Sequence, residues 1–168
     1  KTTNTPAFLK KYNIKASNPL YHNTTVGNAA NILKKGRVKP GIMGEGKKNI
    51  SLTRNPEYTH IPGEHSSELD VQIIFDKKDI SEKGLKIKPY VYNPHYSKEG
   101  VKLGSPVFGK PSPWFEAEER VFSKRGIPSS KIKAIKLRGS GAYEDDFRSL
   151  LKLSSDKKIP LLVEPGAE

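Results

Sequence analysis

The sequence contains no cysteine, which excludes disulfide bridges, thiolate nucleophiles and cysteine-ligated zinc. Carboxylates are also scarce, since 18 Asp and Glu stand against 30 Lys and Arg and leave a formal net charge of +12. No stretch approaches the run of about 20 apolar residues that a membrane-spanning helix needs, and the N-terminus lacks the apolar core of a secretory signal. We therefore expect a basic domain with no membrane association.

The apolar residues that are present form separated, patterned clusters, which predict a folded core. Residues 1–17 are polar with little periodicity and are interpreted as an N-terminal arm or leader, followed by a single domain over 18–168. Alternating apolar residues at 69–76 predict an interior strand. Thr25 and Gly36 are suited to begin and end a helix, and Pro56 suggests another helix start. Strands outnumber helices, so the pattern favours an α+β fold with a mixed, largely antiparallel sheet and short helices.

The positive charge is distributed along the whole chain, mostly as lysine pairs. Such a surface attracts polyanions and supports sequence-independent contacts to phosphates. A lysine-rich surface that is simply solvated gives the same composition. Charge alone therefore leaves a nucleic-acid partner and an ordinary surface equally open.

Four histidines, His22, His60, His65 and His95, have a spacing that fits no common metal signature, so we predict no metal site. His22 differs from the others because it ends an apolar strand just before a helix N-terminus, where free backbone N–H groups favour anions. The alternative is a histidine that only fills the end of a strand.

An acidic cluster follows Trp114 and Phe115 and contains Glu116, Glu118 and Glu119. Strand alternation places Glu116 and Glu118 on one face and Glu119 on the other. Like charges and aromatic neighbours raise carboxyl pKa values, which suits proton transfer or binding of a ribose diol. A charged edge strand paired with nearby lysines is the alternative.

A short strand at 50–53 carries two hydroxyl groups on one face, those of Ser51 and Thr53, and ends at Arg54. Arginine is the residue type that binds phosphate in a bidentate manner. By itself this motif is weak, because serine, threonine and arginine are common on strands and surfaces.

Taken in order, the segments 21–25, 50–58 and 116–121 resemble the motifs of the ADP-ribosyltransferase superfamily, most closely those of phage and bacterial toxin domains. The resemblance implies a split β-sheet that binds NAD. It assigns the ribose contact to His22, the nicotinamide pocket to Ser51 and Thr53, and activation of the ribose to Glu118.

The same resemblance places further residues around the dinucleotide. Glu116 is the upstream acid of the Glu-x-Glu pair, and Glu119 competes with Glu118 for the catalytic position. The other residues expected to bind NAD are Asn23, Thr24, Arg54 and Tyr58.

The implied function is NAD-dependent mono-ADP-ribosylation of a nucleic-acid or protein acceptor. A toxin or effector of this kind is expected in the cytoplasm of the target or host cell, delivered by a phage particle or a secretion system. Two other functions remain open: a metal-independent ribonuclease toxin with His22 and Glu118 as acid and base, and a non-catalytic, basic nucleic-acid-binding module. An RNA 2′-phosphotransferase on a related fold is disfavoured by the acidic cluster.

Overall fold

The computed structural model of the chain describes residues 7–42, 48–58, 71–82, 85–89, 117–137 and 144–163. No helix within these ranges is long and apolar enough to cross a membrane. The helices are α1 (Ala7–Lys11), α2 (Val26–Lys35), α3 (Lys77–Glu82) and α4 (Glu144–Asp156). The strands are β1 (Pro19–Thr24), β2 (Arg37–Val38), β3 (Gly41–Ile42), β4 (Lys48–Thr53), β5 (Val71–Asp76), β6 (Lys86–Pro89), β7 (Glu118–Phe122), β8 (Ile127–Pro128), β9 (Ala134–Leu137) and β10 (Leu161–Val163).

One large sheet organises the fold, with the strand order β10-β9-β5-β1-β4-β7-β6 and β3 added beside β4. β10 runs parallel to β9, and the other neighbours in this sheet pair antiparallel. β2 and β8 form a separate two-stranded sheet. This arrangement confirms the α+β class and the largely antiparallel sheet that the sequence predicts. β5 is buried along its whole length, as expected for an interior strand.

The sheet divides between β1 and β4. These two strands share a single paired position, Tyr21 with Thr53, whereas β1 and β5 pair along their full length. Since a continued ladder would place His22 opposite Leu52, the missing pairs mark the point where the strands diverge. The result is a split that opens beside His22, between the half-sheet β10-β9-β5-β1 and the half-sheet β4-β7-β6.

Local sequence explains where α2, the helix that follows β1, begins and ends. The Thr25 side chain accepts a hydrogen bond of 3.1 Å from the Asn28 backbone N–H and so caps α2. Gly36 ends the helix with a φ of 80°, a left-handed conformation that glycine adopts without a Cβ clash. Both helix boundaries agree with the prediction from sequence.

Apolar residues fill the two faces of the sheet separately. On one face, α2 and α4 pack over a cluster that includes Leu20, Leu33, Leu52, Val121 and Leu150. On the opposite face, a smaller cluster joins residues of the N-terminal segment to β1, β5, β9 and β10, namely Leu9, Ile14, Ala16, Tyr21, Ile74, Ala134 and Leu162.

One local expectation is changed by the structure. Residues 55–58 form a turn rather than the start of a helix, because the Asn55 side chain accepts a hydrogen bond from the Glu57 N–H and closes an Asx turn. In the N-terminal segment, Leu9 and Ala16 are buried against the sheet. The division at residue 18 into arm and domain stays a prediction.

Candidate active site

Ser51 connects the two halves of the sheet at the split. Its backbone carbonyl accepts a 3.2 Å hydrogen bond from His22 Nδ1 on β1. Its hydroxyl donates a 2.6 Å hydrogen bond to Glu118 Oε1 on β7. Because strand residues present their main-chain and side-chain groups in different directions, one residue can serve both neighbours. The structure thus brings together His22, Ser51 and Glu118.

The carbonyl contact also sets the chemical state of His22. A carbonyl oxygen only accepts, so Nδ1 carries the proton and Nε2 is left with a lone pair. Burial lowers the pKa of His22, and the hydrogen bond to Ser51 only partly opposes that effect. The imidazole is therefore neutral near pH 7 and has one acceptor nitrogen.

Glu118 lies on the same face of the half-sheet as Ser51 and is 5% exposed. Besides the Ser51 hydroxyl, its Oε1 accepts a hydrogen bond of 3.1 Å from Arg120 Nε. Glu118 thus presents a nearly buried carboxylate, held by two donors, at the edge of the split.

Glu119 occupies the opposite face of β7 and is fully buried. Its Oε1 lies 2.9 Å from Lys77 Nζ at the start of α3 and 3.6 Å from Arg54 Nε. Burial lowers the pKa of Arg54, whereas the Glu119 charge raises it. The pattern predicted opposite faces for the two glutamates, and the structure places only Glu118 beside Ser51 and the split.

The residue before Glu118 fixes how β7 begins. Ala117 has a φ of 46°, an uncommon value for a residue with a side chain. Its carbonyl accepts a 3.1 Å hydrogen bond from the Arg54 backbone N–H. The main chain after β4 therefore holds the main chain before Glu118. Glu116, the upstream member of the acidic pair, lies outside the described residues.

Asn23 is half-buried and belongs to a network of amide hydrogen bonds. Its Nδ2 donates to the Tyr58 carbonyl at 3.3 Å, and its Oδ1 accepts from Gln72 Nε2 at 3.2 Å. Gln72 also donates to the Pro56 carbonyl at 3.1 Å. These bonds hold the turn after β4 against β1 and β5, so Asn23 shapes the site by placing Tyr58.

Two cavities meet at His22. The smaller, of about 140 Å³, lies in the split itself. The larger, of about 270 Å³, lies beside α2 and β2 and is bordered by three cationic side chains. The smaller cavity is lined by Tyr21, His22, Asn23, Ser51, Leu52, Thr53 and Tyr58. His22 and Thr24 line the larger one together with Asn28, Asn31, Ile32, Lys35, Arg37, Val38 and Lys39.

The structure therefore gathers most of the residues that the motifs indicated, but Arg54 is an exception. Its side chain is 4% exposed and faces Glu119, on the face opposite Glu118. Gln72, Lys77 and Arg120 were not indicated as site residues by the motifs. A signal existed for Gln72, because a glutamine in the otherwise apolar strand β5 must find buried hydrogen-bond partners.

No cluster of three or more potential metal ligands occurs in the part of the chain that the structure describes. His60, His65 and His95 lie outside it. The described part of the candidate site offers a neutral imidazole, a hydroxyl and a carboxylate.

Comparison with known proteins bears on the fold. No protein-family model matches the sequence, and no curated protein matches it. Among solved structures, DarT of Thermus sp. 2.9 in complex with NAD+ matches with a TM-score of 0.54 and 11% identity, over 88% of this chain and 95% of that one. The same protein in complex with ADP-ribosylated single-stranded DNA gives a TM-score of 0.55 and 12% identity over 88% and 94%.

A further structure, DarTG of Thermosipho africanus in complex with ADP-ribose, matches with a TM-score of 0.51 and 11% identity, over 88% of this chain and half of that one. Identities this low carry information about fold only. The chain therefore has the α+β fold of the DarT ADP-ribosyltransferases.

Proposed function

We propose that this protein is an NAD-dependent ADP-ribosyltransferase that modifies nucleic acid. The observation that carries the proposal is the connection of His22 to Glu118 through Ser51, at the split of a sheet with the DarT fold. NAD+ and carba-NAD+ occupy the DarT structures that this chain resembles. NAD is therefore the proposed substrate of this protein, bound at the split of its sheet.

The two cavities on either side of His22 suit the two halves of a dinucleotide. The larger one is bordered by Lys35, Arg37 and Lys39, and cationic side chains bind diphosphate through charge-assisted hydrogen bonds. The smaller one offers the Tyr58 ring and the hydroxyl of Ser51, which suit a flat, polar nicotinamide. Arg54 is instead paired with Glu119. The cations beside α2 are therefore proposed to bind the diphosphate, a contact that the motif suggested for Arg54.

The reaction requires the bond between C1′ of the ribose and the nicotinamide nitrogen to break. Nicotinamide leaves with the electron pair, and C1′ develops positive charge. A nearby carboxylate stabilises that charge and can accept a hydrogen bond from the 2′-hydroxyl, so Glu118 is assigned this role. The acceptor then forms the new bond to C1′ and releases a proton to a base or to water.

His22 and Ser51 prepare the site for this step. Since His22 Nε2 is an acceptor, it can receive a hydrogen bond from a ribose hydroxyl and so fix the orientation of the sugar. The Ser51 hydroxyl holds Glu118 Oε1 in place before substrate arrives. A preorganised carboxylate does not have to reorient as charge develops at C1′.

The acceptor is proposed to be nucleic acid for two reasons. The net charge of +12 favours a polyanion, and a DarT structure with ADP-ribosylated single-stranded DNA shares this fold. A transferase of this kind would act in the cytoplasm of a target or host cell, as a toxin or effector. Expression in a bacterial host is expected to arrest growth in a Glu118-dependent manner.

The test is to incubate the purified protein with labelled NAD and single-stranded DNA, single-stranded RNA or a protein extract. Release of nicotinamide and transfer of label to a nuclease-sensitive product are expected. Glu118→Gln keeps the size of the side chain and removes its charge, and it should reduce nicotinamide release by about a hundredfold or more. The matched control is Asp145→Asn, a carboxylate-to-amide change at an exposed position of α4, which should leave the rate unchanged.

Other outcomes would select a different function. Label in a protease-sensitive product would make a protein the acceptor. Cleavage of RNA without NAD would identify the ribonuclease, and nucleic-acid binding with no NAD consumption would identify the binding module. Full activity of Glu118→Gln would remove the carboxylate from the mechanism.

A further inference from the structure

We propose that the outer edge of the antiparallel pair β6–β7 binds the phosphate backbone of the acceptor strand as it leaves the active site. This inference rests on the proposed function and adds the path that the nucleic acid takes. The surface consists of Lys86, Lys88, Lys124 and Arg125, called here the basic edge. All four side chains are exposed.

Strand pairing places the basic edge next to Glu118. Lys88 lies opposite Arg120 in the antiparallel pair β6–β7, and Lys86 lies opposite Phe122. Glu118 and Arg120 share a face because they are two residues apart, and diagonal neighbours across a pair are about 7–8 Å apart. Lys88 is therefore the residue of the basic edge that lies next to Glu118.

The other cations of the basic edge lie farther from Glu118. Lys86 is two residues from Lys88 on β6, about 7 Å farther from the site. The turn after Phe122, which pairs with Lys86, carries Lys124 and Arg125. Positive charges in such a row can each meet one phosphate of an extended strand that has a nucleotide at Glu118.

The surface charge of the strand pair β6–β7 has only one sign. Its two carboxylates, Glu118 and Glu119, are both buried and paired with Arg120 and Lys77 respectively. Within the described residues, neither Lys86 nor Lys88 forms an ion pair. By contrast, α4 carries four acidic and two basic residues. The exposed charge of the basic edge is therefore purely positive, whereas that of α4 is of both signs.

The pair of Lys88 and Arg120 supports a binding role over a purely structural one. Two like charges placed directly opposite in a sheet destabilise the pairing, and Glu118 offsets only the charge of Arg120. Lysines on an edge strand also discourage pairing with another sheet, but that role does not require them beside the catalytic carboxylate. A phosphate at Lys88 would balance the remaining charge.

The test combines Lys86→Glu and Lys88→Glu in the full chain and uses Lys152→Glu as the matched control. Lys152 is also exposed, on α4, which packs on the other face of the sheet. Binding of a fluorescent single-stranded oligonucleotide of about 16 nucleotides is measured across a salt series. Hydrolysis of NAD without oligonucleotide is measured in parallel, and transfer is expressed relative to it.

The double variant is expected to bind at least about tenfold more weakly at low salt. Because each lost phosphate contact on a single strand lowers the slope of log K against log salt by about 0.7, the slope should fall by about 1.4. The ratio of transfer to hydrolysis should fall with binding. Lys152→Glu should leave both close to wild type.

The possible failures can be told apart. Binding by the double variant within twofold of wild type, or with the same salt slope as wild type, overturns the basic edge even if label is transferred to DNA. Absence of NAD hydrolysis and of transfer in the wild type overturns the proposed function, while the binding series still tests the surface. Transfer to protein with no oligonucleotide binding overturns the basic edge as well.

Discussion

At the scale of single residues, Ser51 has two separable functions. Its carbonyl holds His22, and its hydroxyl holds Glu118. A side-chain substitution removes the second contact and leaves the first, because the carbonyl belongs to the main chain. The proposed mechanism can therefore be tested at Ser51 without disturbing the histidine.

Ser51→Ala is expected to lower the rate constant for nicotinamide release. A hydrogen bond to a charged group is worth about 1.5–3 kcal/mol, which corresponds to a loss of about 10- to 100-fold. Steady-state kinetics should place the loss in kcat, with little change in KM for NAD. Ser51→Thr keeps a hydroxyl and should recover most of the rate. An unchanged kcat in Ser51→Ala would show that the bond to Glu118 does not support catalysis.

The lowered pKa of His22 predicts a pH-dependent stability. The folded state resists protonation of this imidazole, while the unfolded chain binds a proton near the ordinary value of 6.5. Below that value the unfolded state therefore gains stability relative to the folded state. The free energy of unfolding should decrease by about 1.4 kcal/mol per pH unit as pH falls from 6.5 towards the folded pKa.

Urea unfolding of wild type and His22→Asn from about pH 8 to about pH 5 isolates this effect. Asparagine can still donate to the Ser51 carbonyl but does not titrate. The difference in unfolding free energy between the two proteins should shrink as the pH is lowered. A difference that stays constant would mean that His22 has the same pKa in both states.

Residue patterns predicted part of this site. Alternation along β7 separated Glu118 from Glu119, and the position of His22 at the end of β1 marked it for the split. The pattern could not show that Arg54 faces inward, because its partner Glu119 comes from a distant part of the chain. Contacts over such separations depend on strand order, which local periodicity does not encode.

At the scale of elements, a buried ion cluster joins α3, β7 and the turn after β4. Glu119 is its anion, and Lys77 and Arg54 are its cations. Lys77→Met should lower the free energy of unfolding by about 1–3 kcal/mol, because a buried carboxylate loses its nearer partner. The effect stays below complete loss of a buried pair because Arg54 remains.

A double-mutant cycle with Glu119→Gln checks this prediction by urea unfolding. If the charges interact directly, Lys77→Met should destabilise the Glu119→Gln protein much less than it destabilises wild type. The difference should be about 0.5–3 kcal/mol, as for residues in contact. Additive effects of the two substitutions would show that the pair makes no direct contribution. Lys78→Met, next to Lys77 on α3, is the comparison for loss of a helix lysine.

The extent of the elements was more predictable than their pairing. Thr25 and Gly36 marked both ends of α2, since capping is decided within a few residues. The short strands β2, β3 and β8 were not anticipated, because two residues are too few to show alternation. The parallel pairing of β10 with β9 was also not evident, since it depends on how the chain crosses the sheet.

At the scale of the whole molecule, both faces of the sheet are covered, one by α2 and α4 and the other partly by the N-terminal segment. That segment contributes Leu9, Ile14 and Ala16 to the smaller cluster. The Asp76 carboxylate also accepts hydrogen bonds from the N–H groups of Ser17 and Asn18, at 3.1 and 3.3 Å. Composition suggested an arm here, because a few apolar residues spaced among lysines show no strong period.

Leu9→Ala should therefore destabilise the whole fold. A leucine that is fully buried loses about 2–5 kcal/mol of stability on truncation to alanine, through lost apolar contact and the remaining cavity. The exposed neighbour Lys10→Ala is the control and should change stability by less than about 0.5 kcal/mol. Urea unfolding measures both.

The same experiment bears on the domain boundary at residue 18. If Leu9→Ala unfolds at the urea concentration of wild type, the first 17 residues act as a separable arm, and a chain of 18–168 should fold by itself. If it loses stability as expected, the smaller cluster is part of the cooperative unit. Removing residues 1–17 would then expose Tyr21, which is 1% exposed in the intact chain and lies on β1 directly before His22. The N-terminal segment would in that case support the strand that forms one side of the split.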